Sequence, residues 1–299
     1  MTVFCLGSIN ADHLYRLPHL PVPGETLAAT GYSRGLGGKG ANQSVALARA
    51  GARVHHIGAL GQDGGWMCTE LAAAGVGCGD IVEVETASGH AIITLDAQGE
   101  NAIVLFAGAN RAIPPAVLER ALARARPGDW LVMQNETNLQ AEAARLARAA
   151  GMKVAYSAAP FEAEAVRAVL GQIDLLLLNA VEAAQLCAAL GLALSALPVP
   201  ALCVTHGAKG ATWHDLAGGS ETHQPAFAVT PVDTTGAGDT FAGYLVAALA
   251  EGQPPAQALG LASAAAALKV TRMGTASAIP ARAEVEAFLR RQEASQPRL

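Results

Sequence analysis

The sequence is organised around the stretch Val232-Asp233-Thr234-Thr235-Gly236-Ala237-Gly238-Asp239-Thr240-Phe241. The apolar residues that follow recur at helical spacing as far as Leu249, which predicts a helix that begins near Gly236. Small residues at a helix start leave the first backbone N–H groups unshielded, and the helix dipole adds partial positive charge, so an anion can bind there. Asp239 lies at the same place. A carboxylate there is unfavourable for anion binding alone, because the two negative charges repel, but it is useful if it accepts a proton from a hydroxyl that attacks the anion. The stretch therefore favours phosphoryl transfer to a hydroxyl, and the alternative is a glycine-rich turn with Asp239 as a helix cap.

Composition and charge exclude several classes of function. The chain has 299 residues, of which 52% are hydrophobic and 15% charged, so we expect a large buried core. The net charge of −5 and the lack of a long basic run argue against nucleic acid as a partner. The chain starts without the pattern of a signal peptide and has no apolar run near about 18 residues, so we expect a cytoplasmic protein without a membrane span. Five scattered cysteines fit a reducing compartment and indicate no metal site: Cys5, Cys68, Cys78, Cys187 and Cys203.

A second glycine-rich stretch lies near the other end of the chain, Gly35-Leu36-Gly37-Gly38-Lys39-Gly40-Ala41-Asn42-Gln43. It opens a predicted helix that ends at Gly51, and its spacing is not that of a Walker A loop. Lys39 is the only charge at this helix start, and Asn42 follows one turn later, so both side chains can face one cleft. We expect a ligand site here, with a tight turn as the alternative.

From residue 114 onward, predicted helices and strands alternate. The predicted helices are 116–125, 139–150, 162–170 and 181–189, and the predicted strands are 130–134, 153–156, 174–178 and 201–204. Continuous apolar strands separated by helices predict a parallel sheet covered on both faces. Polar residues follow the ends of these strands, which predicts a ligand cleft along the carboxyl edge of the sheet: Asn135, Glu136, Ser157, Asn179 and Thr205.

The first third of the chain does not show this regular alternation of helices and strands. A strand over residues 3–9 is expected to end at Asn10 and Asp12, at the ligand-binding edge of the sheet. A proline-rich excursion follows, and short alternating segments at 81–84, 90–95 and 102–106 predict an antiparallel patch. We expect one domain over 1–299, with a small β lid built from about 11–36 and 88–107. Later segments predict strands at 211–214 and 221–229, helices at 256–270 and 283–291, and a frayed polar tail at 292–299.

Taken together and in this order, the two glycine-rich stretches resemble the two signatures of the sugar kinases related to ribokinase, of the phosphofructokinase-B type. The resemblance extends over nearly the whole chain. It implies a ribokinase-like α/β fold, a three-layer αβα sandwich with a mostly parallel central sheet, and a sugar bound between that sheet and the lid. It also implies Asp239 as general base, with an anion hole formed by the backbone of Gly236, Ala237 and Gly238. The sugar ligands that it implies are Asn10, Asp12, Gly38, Lys39, Asn42, Glu136 and Asp239.

The resemblance further implies ATP, Mg²⁺ and K⁺ as cofactors and a homodimer formed through the lid. The ATP-binding residues would be Asn179, Glu182, Thr205, Gly207, Gly210, Gly238 and Ser263, and Glu182 would hold Mg²⁺ through water. Asp233 has no cationic partner nearby in sequence, and the family uses its position to hold potassium. The other potassium ligands would be Thr235, Lys269, Arg272, Gly274 and Ser277, where Ser277 replaces a family serine whose position is Ala278 here. A turn capped by Asp233 is the alternative.

Several functions remain open at this stage. The set of polar residues in the expected cleft favours a small sugar, and we expect ribose, phosphorylated to ribose 5-phosphate. The alternatives are a related kinase for fructose, ketodeoxygluconate or adenosine, and a sugar-binding sensor without catalysis. A dinucleotide-binding oxidoreductase is disfavoured, since no Gly-x-Gly-x-x-Gly follows the first strand.

Overall fold

The structure is a computed structural model, and it describes residues 1–295. The strands are β1 (Thr2–Leu6), β2 (Asn10–Arg16), β3 (Gly31–Gly37), β4 (Arg53–Leu60), β5 (Gly77–Glu83), β6 (Gly89–Leu95), β7 (Asn101–Phe106), β8 (Trp130–Gln134), β9 (Lys153–Ser157), β10 (Leu175–Asn179), β11 (Ala201–Thr205), β12 (Ala211–Asp215) and β13 (Ser220–Gln224). The helices are α1 (Lys39–Arg49), α2 (Gly65–Ala73), α3 (Pro115–Leu122), α4 (Gln140–Ala149), α5 (Ala163–Val169), α6 (Ala180–Leu190), α7 (Ala237–Ala250), α8 (Pro255–Val270) and α9 (Arg282–Ser295).

The main sheet has the strand order β13-β12-β11-β10-β9-β8-β1-β4-β5. Its strands run parallel from β5 to β11, and β12 and β13 are antiparallel additions at one edge. Alternate residues of each strand face opposite cores. In β1, Val3 and Cys5 pack with α1, α2, α7, α8 and α9, whereas Phe4 and Leu6 pack with α3, α4, α5 and α6. Helices therefore cover both faces, and the predicted three-layer α/β sandwich is confirmed.

Helix α7 packs closely against α1, and this contact positions the site. A side chain at Gly243 of α7 would place its Cβ 2.4 Å from Ala46 Cβ and 2.9 Å from the carbonyl oxygen of Gln43, so only glycine fits. The next residue, Tyr244, is fully buried, and its hydroxyl donates to the carbonyl of Pro280 at 2.7 Å. The second turn of α7 is thereby packed against α1, and Tyr244 ties the same turn to the segment that precedes α9.

A second, smaller sheet has the order β3-β2-β6-β7. Strand β2 pairs antiparallel with β3 and parallel with β6, and β6 and β7 form an antiparallel hairpin. We call these four strands the small sheet. Apart from Asn10 and Gly37 at its ends, the small sheet lies within the two segments from which the lid is predicted.

Three predictions of local structure are wrong. Strand β1 ends at Leu6, and Asn10 and Asp12 belong to the small sheet. The chain leaves the main sheet there because α1 starts directly against it: the amide of Ala41 donates to the carbonyl of Ser8 at 2.8 Å. The segment predicted at 81–84 belongs to β5, which pairs parallel with β4 in the main sheet. The strand predicted at 221–229 ends at Gln224, because Pro225 lacks the N–H that would continue the ladder.

At the end of the chain, the predicted helix 283–291 is longer in the structure, since α9 extends to Ser295. The remainder of the tail predicted to fray, 296–299, lies outside the described residues. Between residues 1 and 295, no helix combines the length and apolar character needed to cross a membrane.

Candidate active site

Asp239 lies in the first turn of α7, and two side-chain amides of α1 hold its carboxylate. Asn42 Nδ2 donates to Oδ2 at 3.1 Å, and Gln43 Nε2 donates to Oδ1 at 3.1 Å. Gln43 is itself fixed, since its Oε1 accepts from Gln134 Nε2 at 2.8 Å. Each carboxylate oxygen has two lone pairs, so Asp239 can still accept a proton or a hydrogen bond from a substrate hydroxyl. Our sequence analysis assigned no role to Gln43 or Gln134, although Gln43 is one helical turn from Lys39.

The backbone turns sharply just before Asp239. Gly236 has a φ of 72°, a left-handed conformation that favours glycine, and it is the N-cap of α7. A Cβ added at Gly238 would meet nothing within 4 Å, so this stretch of backbone is open to a ligand. The amide of Ala237 donates to the carbonyl of Thr234 at 3.2 Å. Of the three residues predicted to form the anion hole, Gly238 is thus the most accessible, and Gly236 sets the turn.

Lys39 lies among three carboxylates. Burial lowers the pKa of its ammonium, but the negative charges of Asp239, Glu136 and Glu182 outweigh this effect, and the pKa is raised above its ordinary value. A charged ammonium is therefore held between residues predicted to bind sugar and residues predicted to bind nucleotide.

The predicted sugar ligands of the first third of the chain meet around Glu136. The Glu136 carboxylate accepts hydrogen bonds from the Ser8 hydroxyl and, at 3.1 Å, from the amide of Lys39. Burial, and secondly the negative charge of Glu136, raise the pKa of Asp12 to about 7. Gly37 lies beside Asp12, and a Cβ there would come within 2.0 Å of Asp12 Oδ2. Asp12, Glu136 and Lys39 thus lie close together even though β2, β8 and α1 are far apart in sequence.

Two buried asparagines complete this end of the site. Asn10 is 4% exposed, and its Oδ1 accepts from Asn110 Nδ2 at 2.7 Å. Asn42 is 5% exposed, and within residues 1–295 its Oδ1 has no hydrogen-bond partner. A buried carbonyl oxygen without a partner is costly, and a ligand hydroxyl would satisfy it. Gly38 allows the close approach of these elements, since its φ is 89° and a Cβ would lie 2.9 Å from Asn10 N. No sequence pattern predicted a role for Asn110, which lies in a short 3₁₀ turn.

A cavity of about 190 Å³ extends from Asp239 along the carboxyl edge of the main sheet. Its lining includes Lys39, Gly238 and Asp239 at one end and Asn179, Glu182 and Thr205 at the other. The predicted cleft at the strand ends is thus present, and one cavity joins the predicted base to four predicted nucleotide ligands, Gly238 among them. Ser263 lies on α8 and is buried, at 7% exposure. It is not one of the described residues that line this cavity.

The nucleotide ligands predicted on α6 also have a structural role. Asn179 Oδ1 accepts from the amides of Val181 and Glu182, both at 2.9 Å, and Glu182 Oε2 accepts from Asn179 N at 2.8 Å. This is a capping box that starts α6. The predicted loop glycines lie beyond β11: Gly207 has a φ of 58° and Gly210 a φ of 102°.

The loop around Asp233 lies against the end of α8. Asp233 Oδ1 accepts from the amide of Thr235, and Oδ2 from the amide of Gly274, both at 2.9 Å. The buried side chain of Lys269 reaches the same place, where Nζ donates to the carbonyl of Asp233 at 2.9 Å and lies 3.9 Å from Oδ2. Of the other predicted potassium ligands, the Arg272 guanidinium pairs with Glu284, and Ser277 Oγ lies near Gly274. Lys269 was predicted as a ligand of a cation, whereas in the structure its own ammonium lies beside Asp233.

A polar pocket with a held carboxylate, an open helix start and an adjoining cavity is the arrangement of a phosphotransferase that uses an alcohol as acceptor. Comparison with known proteins identifies the family: the sequence model for the pfkB family carbohydrate kinases matches residues 2–282. Ribokinase from Haemophilus influenzae is 38% identical over 96% of this chain and 98% of its own length. The chain belongs to the pfkB family and is a carbohydrate kinase.

Solved structures agree with this assignment. Ribokinase from Cryptococcus neoformans, in complex with ADP, has a TM-score of 0.87 and 31% identity over 96% of this chain and 99% of its own. Ribokinase from Arabidopsis thaliana, complexed with ribose and ATP, has a TM-score of 0.85 and 28% identity over 96% of this chain and 98% of its own.

Proposed function

We propose that this protein transfers the γ-phosphoryl group of ATP to the primary hydroxyl of ribose and produces ribose 5-phosphate. One observation carries the proposal: Asp239 is held by Asn42 and Gln43 between the polar cluster around Glu136 and the cavity that reaches Asn179. This arrangement suits a small polyhydroxylated acceptor on one side of the base and a nucleotide on the other. Relatives that are ribokinases, including one solved with ribose and ATP, support the choice of substrates.

In the proposed reaction, Asp239 accepts the proton of the ribose 5-hydroxyl as that oxygen attacks the γ-phosphorus. A new O–P bond forms, the bond from the γ-phosphorus to the bridging oxygen breaks, and ADP leaves with the electron pair. The backbone of Gly236, Ala237 and Gly238 at the α7 start would stabilise negative charge on the transferred group. Lys39 would add a positive charge between the two substrates, a role that suits its raised pKa.

Recognition of the sugar would rest on the polar cluster. Glu136 and Asn10 would accept hydrogen bonds from sugar hydroxyls, and Asn42 Oδ1 would gain the partner that it lacks within the described residues. Asp12, with a pKa of about 7, can present either a proton or an oxygen to the sugar near neutral pH. Gly38 would allow the sugar to approach the backbone closely.

The nucleotide would lie along the cavity, near Asn179, Thr205, Gly207 and Gly210, with Gly238 next to its terminal phosphate. Ser263 would border the adenine only if the cavity extends toward α8. Magnesium fits this end of the site, because a cation carried by nucleotide phosphates needs few protein ligands and Glu182 faces the cavity. Glu182 would hold the ion through water, and the bound ion would neutralise charge on the β- and γ-phosphates.

We further propose that the chain is one domain, that the small sheet closes over the sugar as a lid, and that it pairs two chains into a homodimer. Closure would exclude water, the competing acceptor. Strand β7 exposes consecutive apolar side chains, each about half exposed or more: Ile103, Val104, Leu105 and Phe106. Such a patch is typical of an interface. A dimer that dissociates on Val104→Glu, measured by light scattering, would support this; an unchanged monomer would contradict it.

A cytoplasmic location would fit ATP as substrate and the five cysteines, which are all free within residues 1–295.

The test of the substrate is ATP-dependent phosphorylation of ribose, 2-deoxyribose, fructose, ketodeoxygluconate and adenosine, with ADP release as readout. We expect the highest kcat/KM with ribose. A higher value with another acceptor would replace ribose, and sugar binding without ADP release would favour a sensor. An Asp239→Asn variant is the matched control, because it keeps the size of the site and removes the base.

A further inference from the structure

We propose that the ε-ammonium of Lys269 is a built-in replacement for the monovalent cation that the resemblance predicts beside Asp233, so that the enzyme works without potassium. The inference rests on the proposed function and concerns how its anion-binding loop is held. Lys269 would be a positioning residue, since it contacts the loop and not the substrates.

The geometry places the ammonium where a cation is expected. Lys269 Nζ donates to the backbone carbonyl of Asp233 at 2.9 Å and lies 3.9 Å from Asp233 Oδ2. These are a carbonyl and a carboxylate of the predicted potassium set. The side chain of Lys269 is 0% exposed, so its charge belongs to this contact and not to solvent.

The ammonium, and not a lack of oxygen ligands, excludes a potassium ion. Both carboxylate oxygens of Asp233 accept backbone amides, from Thr235 and Gly274. The carbonyl of Lys269 accepts from the amide of Arg272 at 3.0 Å, whereas within residues 1–295 the carbonyls of Thr235, Arg272 and Gly274 accept no hydrogen bond. A potassium ion would find oxygen ligands here, but it would have to lie next to an ammonium of like charge. With Lys269 present, the residues therefore do not fit a potassium site.

The electrostatics of the loop are balanced by Lys269. Burial alone would raise the pKa of Asp233, but the amides of Thr235 and Gly274 and the Lys269 ammonium outweigh it, and the pKa is lowered. Lys269 also lies in the last turn of α8, where a positive charge complements the helix dipole. The Lys269 ammonium thus adds to the hydrogen bonds that hold the carboxylate charged, and it also complements the helix end.

The contact reaches the anion-binding backbone directly. The amides of Val232 and Asp233 donate to the carbonyl of Val270, at 2.7 and 3.1 Å, so the end of α8 holds the backbone that directly precedes the Lys269 contact. Gly236, the N-cap of α7, follows three residues later. Loss of the ammonium would free the loop that sets the α7 start, and a displacement of about 1 Å there can cost about 100-fold in rate.

The test compares wild type, Lys269→Ala and Lys269→Met in tetramethylammonium buffer, with added sodium, potassium or caesium at constant ionic strength. We expect the turnover of wild type to differ by less than about twofold among these buffers. The two variants, whose loop lacks the ammonium, should lose about 10- to 100-fold in turnover when no cation is added. Potassium or caesium should restore Lys269→Ala, which leaves room for an ion. Lys269→Met fills that room and should not be restored. Lys153→Ala, at the opposite end of the sheet, is the matched control and should behave as wild type.

A second readout does not depend on activity: binding of thallium(I), a potassium analogue, followed by its NMR signal. We expect saturable binding to Lys269→Ala and none to wild type. Two results with wild type would overturn the inference: saturable thallium binding, or activation by potassium above about fivefold, judged against the rate loss expected from a displaced loop. Three results with the variants would overturn it as well. These are equal rescue of both variants, full turnover of Lys269→Ala without added cation, and a folded Lys269→Ala that no cation restores. If Lys269→Ala fails to fold, the thallium measurement on wild type decides. A wild type that phosphorylates none of the acceptors refutes the proposed function instead, and thallium binding still tests the inference.

Discussion

Gln43 Nε2 donates a hydrogen bond to Asp239 Oδ1 while Gln43 Oε1 accepts one from Gln134 Nε2. The relay joins β8, α1 and α7, and all three side chains are buried. It fixes which way the Asp239 carboxylate faces without adding charge to it. Two of the predictions below depend on this relationship.

Asp239→Asn is expected to fold normally and to lose about 10²–10⁴ in turnover, the range typical of a general base. The substitution keeps the volume of the side chain and removes only its ability to take a proton. Steady-state kinetics with ribose and ATP measure the loss, and circular dichroism checks the fold. Turnover near that of wild type in a folded variant would remove Asp239 from the role of base.

Gln43→Leu is expected to lower kcat by about 10-fold or more while changing both KM values little, because a misaligned base affects the transition state more than binding. It should also destabilise the fold by about 1–3 kcal/mol, since Gln134 Nε2 loses a buried partner. Kinetics and urea unfolding measure the two effects. Gln140→Leu, which removes a side-chain amide outside the relay, is the matched control, because Gln140 bonds only to backbone carbonyls. An unchanged kcat in Gln43→Leu would mean that the relay serves stability alone.

Glu136→Ala and Asn42→Ala are expected to raise the KM for the sugar far more than the KM for ATP. The carboxylate of Glu136 lies with Ser8 and Lys39 at the proposed sugar end of the site, and Asn42 Oδ1 has no hydrogen-bond partner within residues 1–295. Initial rates with each substrate varied in turn measure the two constants. Thr205→Ala, at the far end of the cavity, is the complementary control and should raise the KM for ATP. If Glu136→Ala leaves the KM for the sugar unchanged, then Glu136 has only a structural role, in which it connects Ser8 to the start of α1.

Much of this fold and site follows from the sequence, for physical reasons. The strand Trp130–Gln134 is an apolar run between clear breaks, and the structure has the bounds that the pattern predicts. Residues 10–12 and 81–84 were misplaced, because short apolar runs do not reveal which sheet they join. Local patterns also located Asp239 and Lys39, since glycines at a helix start are a strong signal.

Long-range partners could not be predicted in this way. The contacts of Gln43 with Asp239, Asn110 with Asn10 and Lys269 with Asp233 span 196, 100 and 36 residues. No periodicity connects such residues. The resemblance to the family implied an outside ion at Asp233, whereas the fold brings an ammonium from α8.

The last prediction concerns Asp12 and the pH dependence of stability. The pKa of Asp12 is raised from 3.8 to about 7 in the folded chain, first by burial and then by the charge of Glu136. The folded state therefore binds a proton more tightly than the unfolded state, and Asp12 lowers the free energy of unfolding increasingly as pH rises from about 4 to about 7. Asp12→Asn removes this penalty. The free energy of unfolding of Asp12→Asn should therefore exceed that of wild type by a small amount near pH 4, by an amount that grows up to about pH 7, and by a constant amount above.

Each pKa unit corresponds to about 1.4 kcal/mol, so we expect the relative stabilisation of Asp12→Asn to reach a few kcal/mol at pH 8. Urea unfolding of both proteins without sugar, from pH 4 to pH 8, measures it. Asp63→Asn is the matched control, and its effect should have the opposite sign. Burial raises the pKa of Asp63, but hydrogen bonds from Ser88 outweigh this effect, so the pKa is lowered. The Asp63 carboxylate therefore stabilises the fold at pH values above its ordinary pKa, and Asp63→Asn should lose that stabilisation. A difference between Asp12→Asn and wild type that does not change from pH 4 to pH 8 would mean that Asp12 titrates alike in the folded and unfolded chains, and its proton would then have no part in sugar recognition.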